Sequence, residues 1–311
     1  MSLNSFTDVA RALRKYSKVV LSSHARPDGD SIGSQLALGH TLRTLGKTVH
    51  IVNRDPPPPY LQTFPGISTI EQAETVTLDY DAAIILECGS LSRTEVDGLD
   101  RGAVINIDHH AGNSMYGHYN WHDDTAAACT EQIHDLIKEL DVPLTTEIAT
   151  SLYVGILTDT GSFQHANITP RTFDICRRIA AAGVNVAEVA ATVYQNSSIG
   201  KVRMTGALLN HMQLCCDGRI AILRMDDSLL QKTGCLPDDM DGLINMPLSA
   251  KRVQAVIMLR TEAAGIRVSM RSKKNIDVRR IAVSYGGGGH LNAAGFSTEM
   301  TQAELEPELL T

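Results

Sequence analysis

Acidic and imidazole side chains occur in four short segments that lie far apart in the sequence. Such side chains bind divalent cations and transfer protons, so their spacing indicates a metal-dependent reaction. Each segment follows an apolar run, so each stands where a regular element is expected to end. The candidate residues are His24, Asp28 and Asp30 in the first segment, Glu87 in the second, Asp108, His109 and His110 in the third, and Asp159 in the fourth.

The third segment shows how the elements of a fold would position such residues. It closes the run from Gly102 to Ile107, whose β-branched residues predict a buried strand. In an open α/β sheet, ligands bind at the carboxyl ends of the strands, which is where this acid and its two histidines fall. On its own, Asp108-His109-His110 could be a polar turn, so the interpretation depends on the other segments.

The other three segments also follow predicted buried elements. Strands are predicted at 18–22 and 81–86, before the first and second segments, and a buried helix at 146–157 precedes the fourth. Taken singly, these acids have ordinary structural interpretations, because Asp30 could cap the following helix and Asp28 could belong to a turn. Their arrival at one edge of a sheet favours a shared function.

A cluster of this composition would be unstable without a cation, because its carboxylates would repel and desolvate one another. Mixed carboxylate and imidazole donors without thiolates suit manganese, magnesium or iron, and zinc less selectively. Six or seven donors exceed the needs of one octahedral ion that keeps a water, but they fit two ions about 3.5–4 Å apart. Such a pair activates a shared water against phosphorus, so the sequence predicts phosphoryl hydrolysis.

Strands alternate with helices along most of the chain, and this pattern predicts an α/β fold with a mostly parallel sheet and helices on both faces. Further strands indicate a second, smaller α/β domain; they are predicted at 219–224, 253–261 and 265–270. We expect the first domain at 1–195, a connecting helix or linker at 196–216, and the second domain at 217–311.

The second domain carries a local excess of positive charge. Residues 251–280 include nine lysines and arginines but only two acids. An Arg-Ser-Lys triplet follows the last predicted strand, and arginine can bind a phosphate through two parallel hydrogen bonds. Four consecutive glycines further along would form a loop that exposes backbone N–H groups to an anion. The candidate substrate-binding residues are Arg271, Ser272, Lys273, Gly286, Gly287, Gly288, Gly289 and His290.

The overall composition excludes several classes of protein. A net charge of −7 excludes a polycation that binds nucleic acid by bulk attraction, so an anionic substrate needs local cations or metal. The six cysteines form no C-x-x-C pair and predict reduced thiols. The N-terminus lacks signal-peptide features, and no apolar run approaches the ~20 residues of a membrane helix. We therefore expect a soluble, cytoplasmic protein with no membrane partner.

Together these motifs resemble those of the DHH phosphoesterase superfamily. The first segment, the acid Glu87, the Asp108-His109-His110 tripeptide and Asp159 are similar to its four motifs. The run from Gly286 to His290, followed by Ala-Ala-Gly, resembles the glycine-rich motif of the DHH-associated C-terminal domain. The order and spacing resemble the NrnA-type branch, the bacterial nano-RNase/pAp-phosphatase proteins, over essentially the whole chain. We expect the active site in the cleft between the two domains.

The resemblance implies a role for each candidate in the first domain. One cation would be held by His24, Asp28 and Glu87, and the other by Asp30, Glu87, His109 and Asp159. Asp108 would orient His109, and His110 would face the scissile phosphate as a hydrogen-bond donor or general acid. The chain departs from the family at Glu87, where aspartate is usual. The extra methylene bears on metal spacing, metal preference and rate.

The resemblance also implies an activity, which is hydrolysis of short oligoribonucleotides to 5′-mononucleotides with two divalent cations. Manganese is the expected metal, with magnesium or cobalt as alternatives. Nucleotide bisphosphates such as adenosine 3′,5′-bisphosphate (pAp) are expected as further substrates, and cyclic dinucleotides are an alternative. The motifs would also suit a single-strand exonuclease, a pyrophosphatase-like enzyme, or a non-catalytic nucleotide-binding regulator that Glu87 has inactivated. A homodimer is left open.

Three residues close to the third segment are not included among the candidates. Trp121 is expected to pack in or near the core. His118 and His122 follow the tripeptide in a polar stretch, and residues adjacent to a motif are usually scaffolding.

Overall fold

The computed structural model of the chain describes residues 3–240, 242–262 and 265–310. Its contacts divide the chain into two units, Met1–Asn196 and Ser197–Thr311. Each unit contains a six-stranded sheet with flanking helices. Separate hydrophobic clusters fill the two units, so each unit has a core of its own.

The sheet of the first unit is parallel throughout. It consists of β1 (Lys18–Ser22), β2 (Thr48–Asn53), β3 (Ile70–Gln72), β4 (Ala82–Leu86), β5 (Ala103–Asp108) and β6 (Tyr119–His122). The spatial order is β3-β2-β1-β4-β5-β6. β1, β4 and β5 lie side by side and are almost entirely buried, as is typical of strands covered on both faces. The mostly parallel sheet predicted from the sequence is confirmed.

Different structures cover the two faces of this sheet. On one face, Leu21, Ile84 and Ile105 share a hydrophobic cluster with apolar residues of the helices. On the other face, where we also expected helices, Ile85 packs with residues of the segments 73–80 and 91–99, and the second of these contains a 3₁₀ helix at Leu91–Thr94. The α-helices are α1 (Phe6–Lys15), α2 (Gly29–Thr44), α3 (Cys129–Glu139), α4 (Thr146–Asp159), α5 (Pro170–Ala181) and α6 (Val186–Tyr194).

A side-chain cap fixes the start of α2. The helix begins at Gly29, because the Asp28 carboxylate accepts a hydrogen bond from the Ser31 N–H at 2.9 Å. The interpretation of Asp30 as the cap of this helix is therefore wrong. Asp30 lies in the first turn and is fully buried.

Close contact between α2 and α4 brings the ends of both helices to the same place. A Cβ atom on Gly33 of α2 would lie 2.4 Å from the carbonyl oxygen of Ser151 on α4. A Cβ atom on Gly155 of α4 would lie 2.6 Å from the Asp30 carboxylate. Only glycine fits at these two positions, and the contact carries Asp30 and Asp159 into one neighbourhood.

The second unit has a mixed sheet. Its strands are β7 (Gln213–Cys215), β8 (Ile220–Met225), β9 (Ala255–Glu262), β10 (Gly265–Ser272), β11 (Gly288–His290) and β12 (Ala293–Thr298). The order is β11-β12-β10-β9-β8-β7, with a parallel pair between β8 and β9 and antiparallel pairs elsewhere. The helices are α7 (Ile199–Asn210), α8 (Asp227–Thr233), α9 (Val278–Ser284) and α10 (Gln302–Leu309).

The sequence led us to expect that the four consecutive glycines of this unit form a loop, but part of this glycine run is a strand. Gly288 and Gly289 belong to β11, which pairs with β12 through Gly288 opposite Gly295. A Cβ atom on Gly287 would lie 2.3 Å from the carbonyl oxygen of Gly295. The absence of side chains therefore lets this segment lie against β12.

Candidate metal centre

The four segments converge at the carboxyl ends of adjacent strands. His24 follows β1, Glu87 follows β4 directly, and Asp108 is the last residue of β5. The order of the strands reverses between β1 and β4, and in open α/β sheets such a switch point forms the crevice where ligands bind. The N-terminus of α2 and the C-terminal residue of α4, Asp159, complete the cluster.

The Glu87 carboxylate lies at the centre of the cluster and is fully buried. Its Oε2 atom is 3.2 Å from Nε2 of His24, and its Oε1 atom is 3.1 Å from Nε2 of His109. Nδ1 of His110 is 3.2 Å from the same Oε1 atom. One carboxylate thus contacts three imidazoles that come from two different strand ends.

Three overlapping groups of ligand atoms surround Glu87, and within each group the atoms lie within 4.8 Å of one another. His24 Nε2 is 3.8 Å from Asp28 Oδ2, and His109 Nε2 is 3.8 Å from Asp30 Oδ2 and 3.6 Å from Asp159 Oδ2. The groups are His24, Asp28 and Glu87; Asp30, His109 and Asp159; and Glu87, His109 and His110.

The electrostatics of the cluster match a cation site. Burial would raise the pKa of Glu87, but hydrogen bonds with His109 and His24 lower it to about 2. Burial would lower the pKa of His109, but Glu87, Asp30 and Asp159 raise it to about 10. Burial and the neighbouring carboxylates raise the pKa of Asp159 to about 6 and that of Asp30 well above its usual value. Protonation of His109 reduces the repulsion between the carboxylates of the cluster, and bound divalent cations would have the same effect.

The chemistry of the donors also fits hard divalent cations. The groups contain carboxylate oxygens and imidazole nitrogens and no thiolate. Burial raises the pKa of the nearby Cys88 thiol to about 12 and that of Cys129 well above its usual value, so both thiols stay protonated.

Asp30 has a second function, which explains where α3 begins. Its Oδ2 atom accepts a hydrogen bond from the Cys129 N–H at 2.6 Å, and Oδ1 accepts one from the Thr130 N–H at 3.0 Å. These N–H groups open α3, which starts at Cys129. A residue 99 positions away in sequence thus caps the helix, and its carboxylate is fixed beside His109.

Asp108 contacts a different histidine from the expected one. Its Oδ1 atom is 2.9 Å from Nδ1 of His110, while Nδ1 of His109 lies 3.1 Å from the carbonyl oxygen of Ala126. Side chains alternate in an extended segment, so residues two apart share a side and adjacent ones do not. The main chain at Ala126 therefore orients His109, and Asp108 orients His110 and raises its pKa.

Sequence reasoning missed several polar residues that support this cluster. The Ser31 hydroxyl lies 2.9 Å from Nε2 of His24 and 3.2 Å from Oε2 of Glu87. Asn113 donates a hydrogen bond to Oδ2 of Asp108 at 2.6 Å. The position of Ser31 directly after Asp30 was the available signal for the first contact, and Asn113 lies in the turn that follows the third segment.

A second group of missed residues converges on the main chain next to Glu87. The carbonyl oxygen of Cys88 accepts hydrogen bonds from the Tyr116 hydroxyl at 3.0 Å and from the Asn106 side chain at 3.2 Å. Asn113 Nδ2 lies 3.5 Å from the same oxygen. Glu87 itself has a φ of 59°, a left-handed conformation that is costly for a residue with a side chain. These donors fix the Cys88–Gly89 peptide, one residue beyond the strained Glu87.

The histidines that were set aside contact the main chain. His118 Nδ1 accepts a hydrogen bond from the Val104 N–H at 2.9 Å. His122 Nε2 lies 2.8 Å from the carbonyl oxygen of His110. Trp121 is buried and its ring centroid is 5.9 Å from that of Phe6.

In the second unit, a cavity of about 520 Å³ contains several of the predicted substrate-binding residues. Arg271 lines it together with Arg267, Gly288 and Gly289. The Ser272 hydroxyl donates a hydrogen bond to the Ile276 carbonyl at 2.6 Å and is largely buried, so its direct contact is internal. His290 belongs to β11, and its side chain lies outside the described part of the structure.

Comparison with known families agrees with this two-unit architecture. The profile of the DHH family, N-terminal domain, matches residues 18–156, and that of the DHHA1 domain matches residues 217–311. In the part of the chain that the structure describes, no helix is long and apolar enough to cross a bilayer.

Several individual proteins are similar over nearly the whole chain. The bifunctional oligoribonuclease and PAP phosphatase NrnA of Thermus thermophilus is 32% identical over 89% of this chain and 83% of its own. The Bacillus subtilis protein of the same name is 28% identical over 94% and 92%. A crystal structure of an exopolyphosphatase-related protein from Bacteroides fragilis superposes with a TM-score of 0.84 at 26% identity, covering 96% of this chain and 92% of that one. The exonuclease RecJ bound to manganese shares the fold, with a TM-score of 0.52 at 16% identity over 97% and 92%.

Proposed function

The chain belongs to the DHH family of phosphoesterases, and on that basis we propose that it hydrolyses oligoribonucleotides of a few residues to mononucleotides and removes the 3′-phosphate of pAp. Relatives that bear the name bifunctional oligoribonuclease and PAP phosphatase match over most of their length. The residues of the candidate metal centre suit phosphoester hydrolysis, because they supply cation ligands beside a hydrogen-bond donor.

The observation that carries the proposal is the position of the Glu87 carboxylate. One of its oxygens contacts His24 and the other contacts His109, so a single side chain joins two groups of donors. We assign His24, Asp28 and Glu87 to one divalent cation, and Asp30, Glu87, His109 and Asp159 to a second. When bound, two such cations lower the pKa of a water and neutralise charge on the phosphoryl group.

We assign to His110 the task of donating to the phosphate or the leaving oxygen. Its Nδ1 atom is tied to Asp108 and Glu87, and the side chain is 41% exposed, so the ring is oriented and accessible. The Asp108 hydrogen bond raises the pKa of His110 and so favours the protonated form that can donate. Asp108 serves as a positioning residue, and Asn113 fixes its other oxygen.

We propose manganese as the activating metal, with magnesium and cobalt as alternatives. Mixed oxygen and nitrogen donors of this kind accept manganese more readily than magnesium, which prefers oxygen ligands and water. We also propose that the protein acts in the cytoplasm, where its cysteines, all free in the structure, stay reduced.

In the second unit, we propose that Arg271, Lys273, the glycine-rich segment and His290 hold the terminal phosphate or base of the substrate. The cavity lined by Arg271 and the glycines offers cationic and backbone N–H groups to an anion. Ser272 stabilises the chain next to Arg271 through the hydrogen bond from its hydroxyl to the Ile276 carbonyl.

The test uses the metal-stripped full-length protein with the dinucleotide pApA and with pAp. Addition of manganese is expected to release AMP from both. Binding of pApA without turnover in manganese, magnesium and cobalt would favour a non-catalytic regulator instead. Recovery of turnover by Glu87→Asp would then assign the loss to the longer side chain.

Substrate length separates the proposed enzyme from a single-strand exonuclease. We expect pApA to be hydrolysed with a higher kcat/KM than an oligonucleotide of roughly 24 residues, because a long strand needs an extended cationic groove with stacking residues. Faster cleavage of the long strand would favour the exonuclease.

A further inference from the structure

One end of the sheet in the second unit carries cations at successive strand ends. The Gln254 N–H donates to the Arg219 carbonyl at 2.7 Å, and the Lys273 N–H donates to the Gln254 carbonyl at 2.9 Å. The three residues therefore lie side by side at the adjacent ends of β8, β9 and β10. With strands about 4.8 Å apart, they span about 10 Å. We call this surface the basic edge and define it as Arg219, Lys251, Arg252, Gln254 and Lys273.

Nearby acids balance only part of the charge of the basic edge, because the single carboxylate of Asp217 lines the same cavity as Arg219, Lys251 and Arg252. The two acids of residues 251–280 are engaged elsewhere, Glu262 with Arg260 at 3.4 Å and Asp277 with Arg279 at 3.3 Å. Within the described ranges, neither Arg219, Lys251 nor Arg252 forms an ion pair. In an acidic protein such a surface keeps a positive potential that attracts anions.

Two of the cations are held in place by main-chain carbonyls. Arg219 Nε donates to the Cys216 carbonyl at 3.1 Å, and Lys273 Nζ donates to the Ala250 carbonyl at 2.9 Å. A carbonyl orients a cation without neutralising its charge, so less side-chain entropy is lost when an anion binds. Lys251, Arg252, Gln254 and Asp217 line an open cavity of about 600 Å³, together with Arg219.

The basic edge continues into the cavity already proposed for the substrate. The Ser272 N–H, next to Lys273, donates to the Asn292 carbonyl at 3.0 Å, and Asn292 directly precedes β12. Arg271 belongs to the same strand as Ser272 and lines the cavity of the glycine-rich segment. An anion chain that leaves that cavity along the strand ends therefore meets Lys273 first and the remaining cations next.

We propose that the basic edge binds the phosphodiester backbone of an oligonucleotide of three or more residues, beyond the nucleotides held at the glycine-rich segment. This inference rests on the proposed function and extends it to substrate length. Lysine and arginine contacts with phosphates carry no sequence information, so the edge takes any base sequence. Its short span holds only a few phosphates, which agrees with a preference for short substrates.

The experiment compares two double variants with the same change in charge. Lys251→Gln/Arg252→Gln alters the basic edge, and Arg203→Gln/Lys232→Gln alters two exposed cations on α7 and α8 of the same unit. We expect the edge variant to lower kcat/KM for 5′-phosphorylated pentaadenylate by ~10-fold and to leave kcat/KM for pApA unchanged. The control variant is expected to change neither value.

Binding of 3′-labelled pentaadenylate to the metal-free protein gives a readout that does not need turnover. Loss of two phosphate contacts is expected to reduce the slope of log K against log salt by about 1.4, at roughly 0.7 for each contact with a single strand. Equal losses for both substrate lengths, or an unchanged salt slope, would overturn the proposal. If the wild-type protein hydrolyses neither substrate, the proposed function fails, while the salt slope still decides whether the basic edge binds the oligonucleotide.

Discussion

At the scale of single residues, the site depends on a carboxylate that the backbone holds in a strained conformation. Left-handed backbone at Glu87 costs on the order of 1–3 kcal/mol for a residue that is not glycine, and folding must offset this cost locally. The hydrogen bonds that Tyr116 and Asn106 donate to the Cys88 carbonyl offset this cost. This main chain carries the carboxylate that contacts both His24 and His109.

Tyr116→Phe tests this support. The variant removes the hydroxyl donor to the Cys88 carbonyl, so the main chain one residue beyond Glu87 is held less firmly. We expect the affinity for Mn²⁺ to fall by up to ~10-fold, the low end of the effect of removing a direct partner of a metal ligand, because Tyr116 acts on Glu87 only through the main chain. The measurement is a titration followed by the paramagnetic resonance signal of free Mn²⁺. Tyr119→Phe, on strand β6, serves as the control, and equal affinities in all three proteins would contradict the role of Tyr116.

His109 gives a prediction on protons. Its pKa of about 10 in the metal-free protein exceeds the ordinary value of 6.5, so it is protonated at neutral pH, whereas a metal ligand must be neutral. Metal binding at neutral pH should therefore release a proton from this residue. Calorimetry in two buffers of different ionisation enthalpy counts the protons released. A count of zero would show that His109 is neutral without metal or does not bind it.

At the scale of elements, the sequence predicted the helices and strands that depend on neighbouring residues and missed the features that depend on residues distant in the chain. β1, β4 and β5 were predictable because each is an unbroken apolar run that ends in polar residues. The start of α3 was not, because the carboxylate that caps it belongs to Asp30 on another helix. The pairing of the glycine run with β12 was also missed, because glycines have no side chains and so show no alternating pattern that would predict a strand.

The contact between α2 and α4 also has energetic consequences. Gly33→Ala would place a methyl group 2.4 Å from the Ser151 carbonyl oxygen, so the helices must separate. We expect a loss of about 1–3 kcal/mol in the free energy of unfolding, measured in urea, together with weaker metal binding. Gly206→Ala in α7 has nothing within 4 Å of the new atom, and it should be neutral or stabilise by up to ~1 kcal/mol. Similar values for both variants would contradict the importance of this contact.

At the scale of the whole molecule, the two units differ in what the sequence could establish. The convergence of the acids and histidines in the first unit was predictable, because these residues recur where buried elements end, and ligand sites form at strand ends in such sheets. The contacts within this cluster were harder to predict, since the partner of Asp108 depends on how the side chains alternate after the strand ends. In the second unit, the excess of positive charge was visible, but the order of the basic edge follows from strand pairing that no local pattern shows.

The central claim is that the acids and histidines around Glu87 are brought together to hold two divalent cations. Anomalous scattering from crystals soaked in manganese tests this claim most directly. The account predicts two peaks about 3.5–4 Å apart on either side of the Glu87 carboxylate, one near His24 and the other near His109. A single peak, or manganese bound away from Glu87, would contradict it.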